Sequence, residues 1–265
     1  MLGAIIGDIV GSRFEYVEHK SKNFNFFDIT CTFTDDTVMT VAVALAVTKI
    51  KGINEEYQRK KVIVDTLLNV GQKYPHCGYG TMFNEWLFTK PIPKDSFGNG
   101  AAMRISPVGL FCDNEEEVKI LSKEITEVSH NHIEAIKGAE AVALAVFLAK
   151  ERWFKEDIKK RIAKDYYPEL NNLTCDKIRE DYYFDVTCQG SVPQALTCFF
   201  ESCDYEDAIR NAVSLGGDSD TLAAICGGIA GAYYGIPLWI TKKAWSYLDQ
   251  DLKNYIKEIM NMLSE

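Results

Sequence analysis

The chain has 265 residues, 47% of them apolar, which is enough for one large domain or two small ones around a sizeable core. It carries 38 acidic and 29 basic side chains, a formal charge of −9. With no surplus of lysine and arginine to neutralise phosphates, general binding to nucleic acid or to an anionic membrane surface is excluded. An anionic small molecule held by metal ions and backbone amides is not.

At the N-terminus no basic region precedes the short apolar stretch, and Asp8 interrupts it early, so it does not read as a secretion signal. The segment continues as Gly7-Asp8-Ile9-Val10-Gly11-Ser12-Arg13-Phe14-Glu15, and from the residues alone Glu15 reads as a solvated surface carboxylate. Thr34-Asp35-Asp36-Thr37 follows and opens a predicted helix. Capping accounts for one such side chain. Two adjacent carboxylates repel each other, and a bound cation would remove that repulsion. Val38 to Ile50 has almost no polar face and predicts a buried central helix. Glu55 to Val70 predicts an amphipathic one.

Residues 72 to 107 form the longest stretch that reads as irregular, and a long ordered loop is commonly functional. Within it, Ser96-Phe97-Gly98-Asn99-Gly100-Ala101-Ala102-Met103-Arg104 is a glycine turn running into a helix-like segment. It can present amides to a phosphate or be a plain tight turn. Ser129-His130-Asn131-His132 holds two of the four histidines, and His130 is a candidate polar contact to a substrate. Glu134 to Lys150 is spaced for close helix packing. Tyr182 to Val186 reads as a short strand, while Ser191–Phe200, Tyr205–Leu215 and Lys242–Leu263 read as helices.

Gly216-Gly217-Asp218-Ser219-Asp220-Thr221 repeats the carboxylate-and-threonine chemistry of residues 34–37. Its paired glycines permit an unusual turn, and Asp218 and Asp220 can face one side. Two such clusters far apart in the chain suggest a fold that joins them around hard divalent cations, with hydrolysis as the chemistry. Gly227, Gly231 and Gly235 are spaced by four, which lets two helices, or a helix and a ligand loop, pack tightly. No apolar run reaches the ~20 residues of a membrane helix, and Leu222 to Tyr234 falls short of it. The eight cysteines form no C-x-x-C pair and read as reduced, mostly buried thiols of a cytoplasmic protein.

In order, G-D-x-x-G-x-x-x-E at 7–15, T-D-D-T at 34–37, G-N-G-A-A-M-R at 98–104, S-H-N-H at 129–132 and G-G-D-S-D-T at 216–221 resemble the ADP-ribosylglycohydrolase family. That family includes the dinitrogenase-reductase-activating glycohydrolases and the mammalian ADP-ribosyl-acceptor hydrolases. The resemblance implies an all-α fold, one orthogonal multi-helix domain over residues 1–265, with a binuclear Mg²⁺ or Mn²⁺ site at the base of a cleft. By motif position, Thr34, Asp35 and Asp36 would hold one metal and Asp218 and Thr221 the other, with Asp220 bridging. Glu15 would act as general base or ligand, and Asp36 is counted with it among the catalytic groups. Ser96, Phe97, Gly98, Asn99 and Gly100 would line the ADP-ribose cleft, with Phe97 near the adenine and His130 at the diphosphate or distal ribose. The implied reaction frees ADP-ribose from an arginine, a serine or a small O-linked acceptor. A non-catalytic ADP-ribose binder and a two-metal nucleotide phosphohydrolase are the alternatives. Trp153 to Val186 matches no motif, and the histidine motif begins with Ser129 where Thr is commoner.

Overall fold

The apolar runs of the sequence become helices with little or no solvent face. The computed structural model, which describes residues 1–264, contains fifteen α-helices among those residues. They are α1 (Leu2–Gly11), α2 (Asp35–Ile50), α3 (Glu56–Gly71), α4 (Thr81–Phe88), α5 (Gly100–Met103), α6 (Ser106–Phe111), α7 (Glu115–Glu127), α8 (Ile133–Lys150), α9 (Lys155–Asp165), α10 (Cys175–Asp181), α11 (Cys188–Phe200), α12 (Tyr205–Val213), α13 (Ser219–Tyr234), α14 (Leu238–Trp245) and α15 (Gln250–Met262). Among the described residues β-pairing is limited to two isolated bridges, Lys94–His130 and Gly98–Thr187. The all-α expectation holds.

The core is organised by α2, α8 and α13. In α2 every residue except Asp35 and Lys49 is buried, and α13 is buried from Ser219 to Ala230. Burial of each large aliphatic side chain in such a helix contributes about 1.5–3 kcal/mol. The closest pairing is α1 against α13, and glycine makes it possible. A Cβ at Gly7 would lie 2.0 Å from the Ala223 carbonyl oxygen, and one at Gly3 would lie 2.2 Å from that of Gly227. Both obstacles are backbone, so nothing can move aside. Of the three glycines spaced by four, Gly227 and Gly231 face α1 as their spacing predicts, whereas Gly235 ends α13 at φ 73°. This backbone-to-backbone approach carries Gly11 to Ser219 and Asp220, so the first and last motifs of the chain meet.

Three sequence expectations are corrected. Residues 72–107 are not irregular throughout: α4 lies inside them, because Phe83, Trp86 and Leu87 share a buried face, and Trp86 Nε1 donates to the Val128 carbonyl (2.7 Å). Lys242–Leu263 is two helices. Asp249 takes an extended backbone and accepts from Leu252 N (2.8 Å), which starts α15 anew. Tyr182–Val186 is not a strand, since no neighbouring strand runs beside it to form a ladder.

Candidate active site

The first functional carboxylate is one that the sequence left without a role. Asp8, on α1, is wholly buried and accepts from Thr34 N (2.9 Å), Thr34 Oγ1 (2.8 Å), Thr37 N (3.0 Å) and Thr37 Oγ1. It therefore anchors the start of α2 to α1. Burial pushes its pKa up to about 6, opposed by these four bonds. Thr34 Oγ1 also accepts from Asp36 N (3.2 Å), so it is the cap of α2. The amide of Asp35 is held by the Cys77 carbonyl (2.9 Å), and its carboxylate fits because Gly78 has no Cβ, which would stand 2.9 Å from Oδ1.

Across from α2, Gly216 and Gly217 both take left-handed backbone (φ 76° and 72°), which glycine adopts without a Cβ clash. They turn the chain so that Asp218 stands at the N-terminus of α13 without capping it. Its Oδ2 instead accepts from Asn99 Nδ2 (2.7 Å), which also donates to Ser191 Oγ (3.0 Å). Thr221 Oγ1 donates to Asp36 Oδ2 (3.3 Å), and this contact joins the two aspartate clusters.

These groups form the base of a cleft of about 450 Å³ lined by Glu15, Asp35, Asp36, Asp218, Asp220 and Thr221. Carboxylate oxygens of Glu15, Asp218 and Asp220 lie within 4.8 Å of one another. Burial, then neighbouring carboxylates, pushes Asp35 up to about 8 and raises Asp36 and Asp220 well above the usual carboxylate range. Burial also raises Asp218 and Glu15. Among the described residues the ion pairs lie elsewhere, as at Arg59–Glu124 (2.5 Å) and Arg210–Glu206 (2.6 Å). Asp36 Oδ1 is buried with no partner among the described residues. A crowd of oxygen donors with an orphaned buried carboxylate oxygen and no pairing lysine or arginine fits a hard divalent cation.

The upper wall comes from Ser96, Gly98, Asn99, Gly100 and His130. Asn99 N donates to the Val186 carbonyl (2.8 Å) and Gly98 N to Ser96 Oγ (3.3 Å), so two amides of the glycine turn are already satisfied within the protein. Thr34 and Phe97 are outside the cleft lining. Thr34 sits behind Asp36 as the cap, and Phe97, 43% exposed, packs edge-on to His132 at 5.2 Å.

Sequence reasoning missed four further residues. Arg104 is fully buried at the cleft wall, with its pKa lowered to about 10 by burial. Its signal was its place at the end of the glycine motif. Tyr16 and Phe184 stack at the mouth (5.9 Å between ring centroids), and Val186 lies beside them in the lining. Phe184 and Val186 belong to the stretch that matched no motif. Residues 182–187 run along the rim, from Tyr182, whose carbonyl accepts from Lys20 Nζ (2.5 Å), to the bridge with Gly98.

The family model of ADP-ribosylglycohydrolase matches residues 1–264. The chain belongs to the ADP-ribosylglycohydrolase family. ADP-ribosylarginine hydrolase Tri1 of Pseudomonas putida is 25% identical over 284 residues, covering 95% of this chain and 75% of that protein. ADP-ribosylhydrolase ARH3 of Homo sapiens is 26% identical, covering 77% and 71%. An uncharacterized protein of Archaeoglobus fulgidus is 34% identical over 148 residues, and the match spans about half of each chain (50% and 48%). Among solved structures, an ADP-ribosylglycohydrolase-related protein complex superposes with a TM-score of 0.72 at 24% identity over 98% of this chain and 96% of that one. That likeness speaks to the fold alone.

Proposed function

We propose that this chain hydrolyses the bond between C1 of the distal ribose of ADP-ribose and an acceptor nitrogen, with arginine as the acceptor. The observation that carries the reading is the meeting of Glu15, Asp218 and Asp220 at the base of one cleft whose wall is the Ser96–Gly100 turn and His130. Family membership and the likeness to Tri1 and ARH3 support the same chemistry.

Asp35, Asp36, Asp218, Asp220 and Thr221, with Thr34 behind them, would hold two divalent cations, Mg²⁺ or Mn²⁺. When bound, such cations supply Lewis-acid polarisation of hydroxyl and water oxygens. The protein's own groups do the rest. Glu15 stands half-buried at the acidic base, where burial raises its pKa, and is the general base of this reading. Asn99 orients Asp218, and Thr221 orients Asp36. Water adds to C1, the C1–acceptor bond breaks, and the acceptor leaves with a proton. The acceptor side is the open mouth, where the exposed rings of Tyr16 and Phe184 line the same cleft as Glu15, Asp218 and Asp220. A planar guanidinium stacks well on such rings.

The test is release of free ADP-ribose from arginine-linked and serine-linked ADP-ribosyl peptides, with Mg²⁺ or with chelator. Metal-dependent release from the arginine peptide is expected. Release from the serine peptide alone rejects the acceptor assignment. AMP as product favours a nucleotide phosphohydrolase, and binding of ADP-ribose without turnover of either peptide favours a non-catalytic binder.

A further inference from the structure

Two buried polar residues, Arg104 in the cleft wall and Ser129 beside His130, have no part in the chemistry described so far. We infer that they are positioning residues that lock His130 as its Nε2–H tautomer, so that the ring offers an N–H donor to an ADP-ribose oxygen above the Gly98–Gly100 turn. This deepens the function proposed above and rests on it for the identity of the ligand.

Donor and acceptor counts fix the tautomer. A guanidinium can only donate. Arg104 Nη2 lies 2.6 Å from Ser129 Oγ and 3.4 Å from His130 Nδ1. Ser129 Oγ therefore accepts from Arg104 and has one hydrogen of its own to give. Its two possible acceptors are the Thr126 carbonyl, at 3.5 Å too long for a good bond, and His130 Nδ1 at 2.8 Å. The hydrogen goes to Nδ1. A proton on Nδ1 would face the Arg104 N–H with a second donor and leave the Ser129 hydrogen without a near acceptor. Nδ1 is thus the acceptor, and the single ring proton sits on Nε2.

The ring is held in place around this bond. His130 N donates to the Thr126 carbonyl (2.8 Å), its strand-like neighbours bond Lys94, and the Phe83 ring lies 5.6 Å away. The Arg104 guanidinium in turn stacks 4.8 Å from the Phe83 ring centre. Nε2 has no protein partner among the described residues. It faces the two glycines: a Cβ at Gly100 would come within 3.5 Å of it, and one at Gly98 within 3.8 Å. Their missing side chains leave the N–H open to the cleft. Burial and the nearby guanidinium also keep the imidazole neutral.

The test reads the tautomer directly, by nitrogen-15 NMR of histidine-labelled protein, with His130→Ala identifying its signals among the four histidines. Wild type should show an unprotonated Nδ1 and a protonated Nε2. Ser129→Thr keeps a hydroxyl and should keep that pattern. Ser129→Ala removes the donor at 2.8 Å and leaves only the longer Arg104 contact at 3.4 Å, so it should move His130 partway toward the other tautomer and weaken ADP-ribose binding, measured by calorimetry, roughly three- to tenfold. A protonated Nδ1 in wild type, or an unchanged tautomer in Ser129→Ala, overturns the inference. If wild type shows the Nε2–H form but binds no ADP-ribose, the positioning role stands and the proposed function fails.

Discussion

Two helix starts in this protein carry nearly the same side chains and use them differently. At α2, Thr34 caps the helix, and buried Asp8 accepts from both Thr34 and Thr37. At α13, Asp218 occupies the capping position but makes no cap, and its carboxylate points to Asn99 and the cleft. The first start is held by bonds satisfied within the protein. The second is held by a glycine turn and by packing against α1, which frees its carboxylates for other work. An aspartate at a helix start therefore has two fates, and the one it takes depends on what else satisfies the amides.

Removing a carboxylate from each side breaks the comparison most sharply. Asp218→Ala should lower kcat/KM for the conjugate on the order of a thousandfold, about 4 kcal/mol of barrier. It should leave the melting temperature equal or higher, because a buried carboxylate among like charges is gone. Asp8→Ala should instead destabilise by about 3 kcal/mol, since four buried donors lose their acceptor. Denaturant unfolding and turnover measured on both variants decide the matter, and a stable, active Asp8→Ala would sink the anchoring role.

The α1–α13 contact gives the next effect. Gly7→Ala should cost about 1–3 kcal/mol, with a Cβ 2.0 Å from a backbone oxygen. A melting curve indistinguishable from wild type would show that the helices are not locked together.

Acidity gives a further effect, in the cluster at α2. Asp35, pushed up to about 8, binds a proton in the folded state where the unfolded chain, near 3.8, does not. Between those values the folded state holds more protons, so metal-free stability should fall as pH rises from about 4 to about 8. A divalent cation displaces that proton, so the rise in melting temperature on adding Mg²⁺ should be larger at pH 8 than at pH 5. At a concentration about 100 times Kd the cation would add about 2.7 kcal/mol. A rise that shrinks with pH would contradict cation binding by these carboxylates.

The smallest effect belongs to the mouth. Phe184→Ala should raise KM for the arginine conjugate about fivefold, on the order of 1 kcal/mol, and leave inhibition by free ADP-ribose unchanged. Loss of ADP-ribose inhibition in parallel would place the ring on the nucleotide instead.

Much of this was legible in the linear chain. The apolar runs of α2 and α8, the repeated Asp–Thr chemistry, and the glycines spaced by four each announce themselves over a few residues, because helix periodicity and capping are local. The two Asp–Thr clusters pointed to one shared chemistry, and the contact of Thr221 with Asp36 joins them, whereas Glu15 reads from the residues alone as a surface carboxylate and gains a role only through the family resemblance. Other roles had no local signal. Asp8 reads as an interruption of an apolar stretch until α2 is laid beside it, and only then do its four donors appear. Asn99 reads as a turn residue until Asp218 arrives from 119 positions away. Phe184 sits in a segment without a motif, held on either side of it by distant parts of the chain, Lys20 at the Tyr182 carbonyl and Asn99 at the Val186 carbonyl. Sequence alone determined which residue types could do the chemistry and where the apolar helices α2 and α8 run, since both follow from short-range pattern. Tertiary structure decided which carboxylates are satisfied and which are free, because a hydrogen bond needs its partner in space and the partners here lie at opposite ends of the chain.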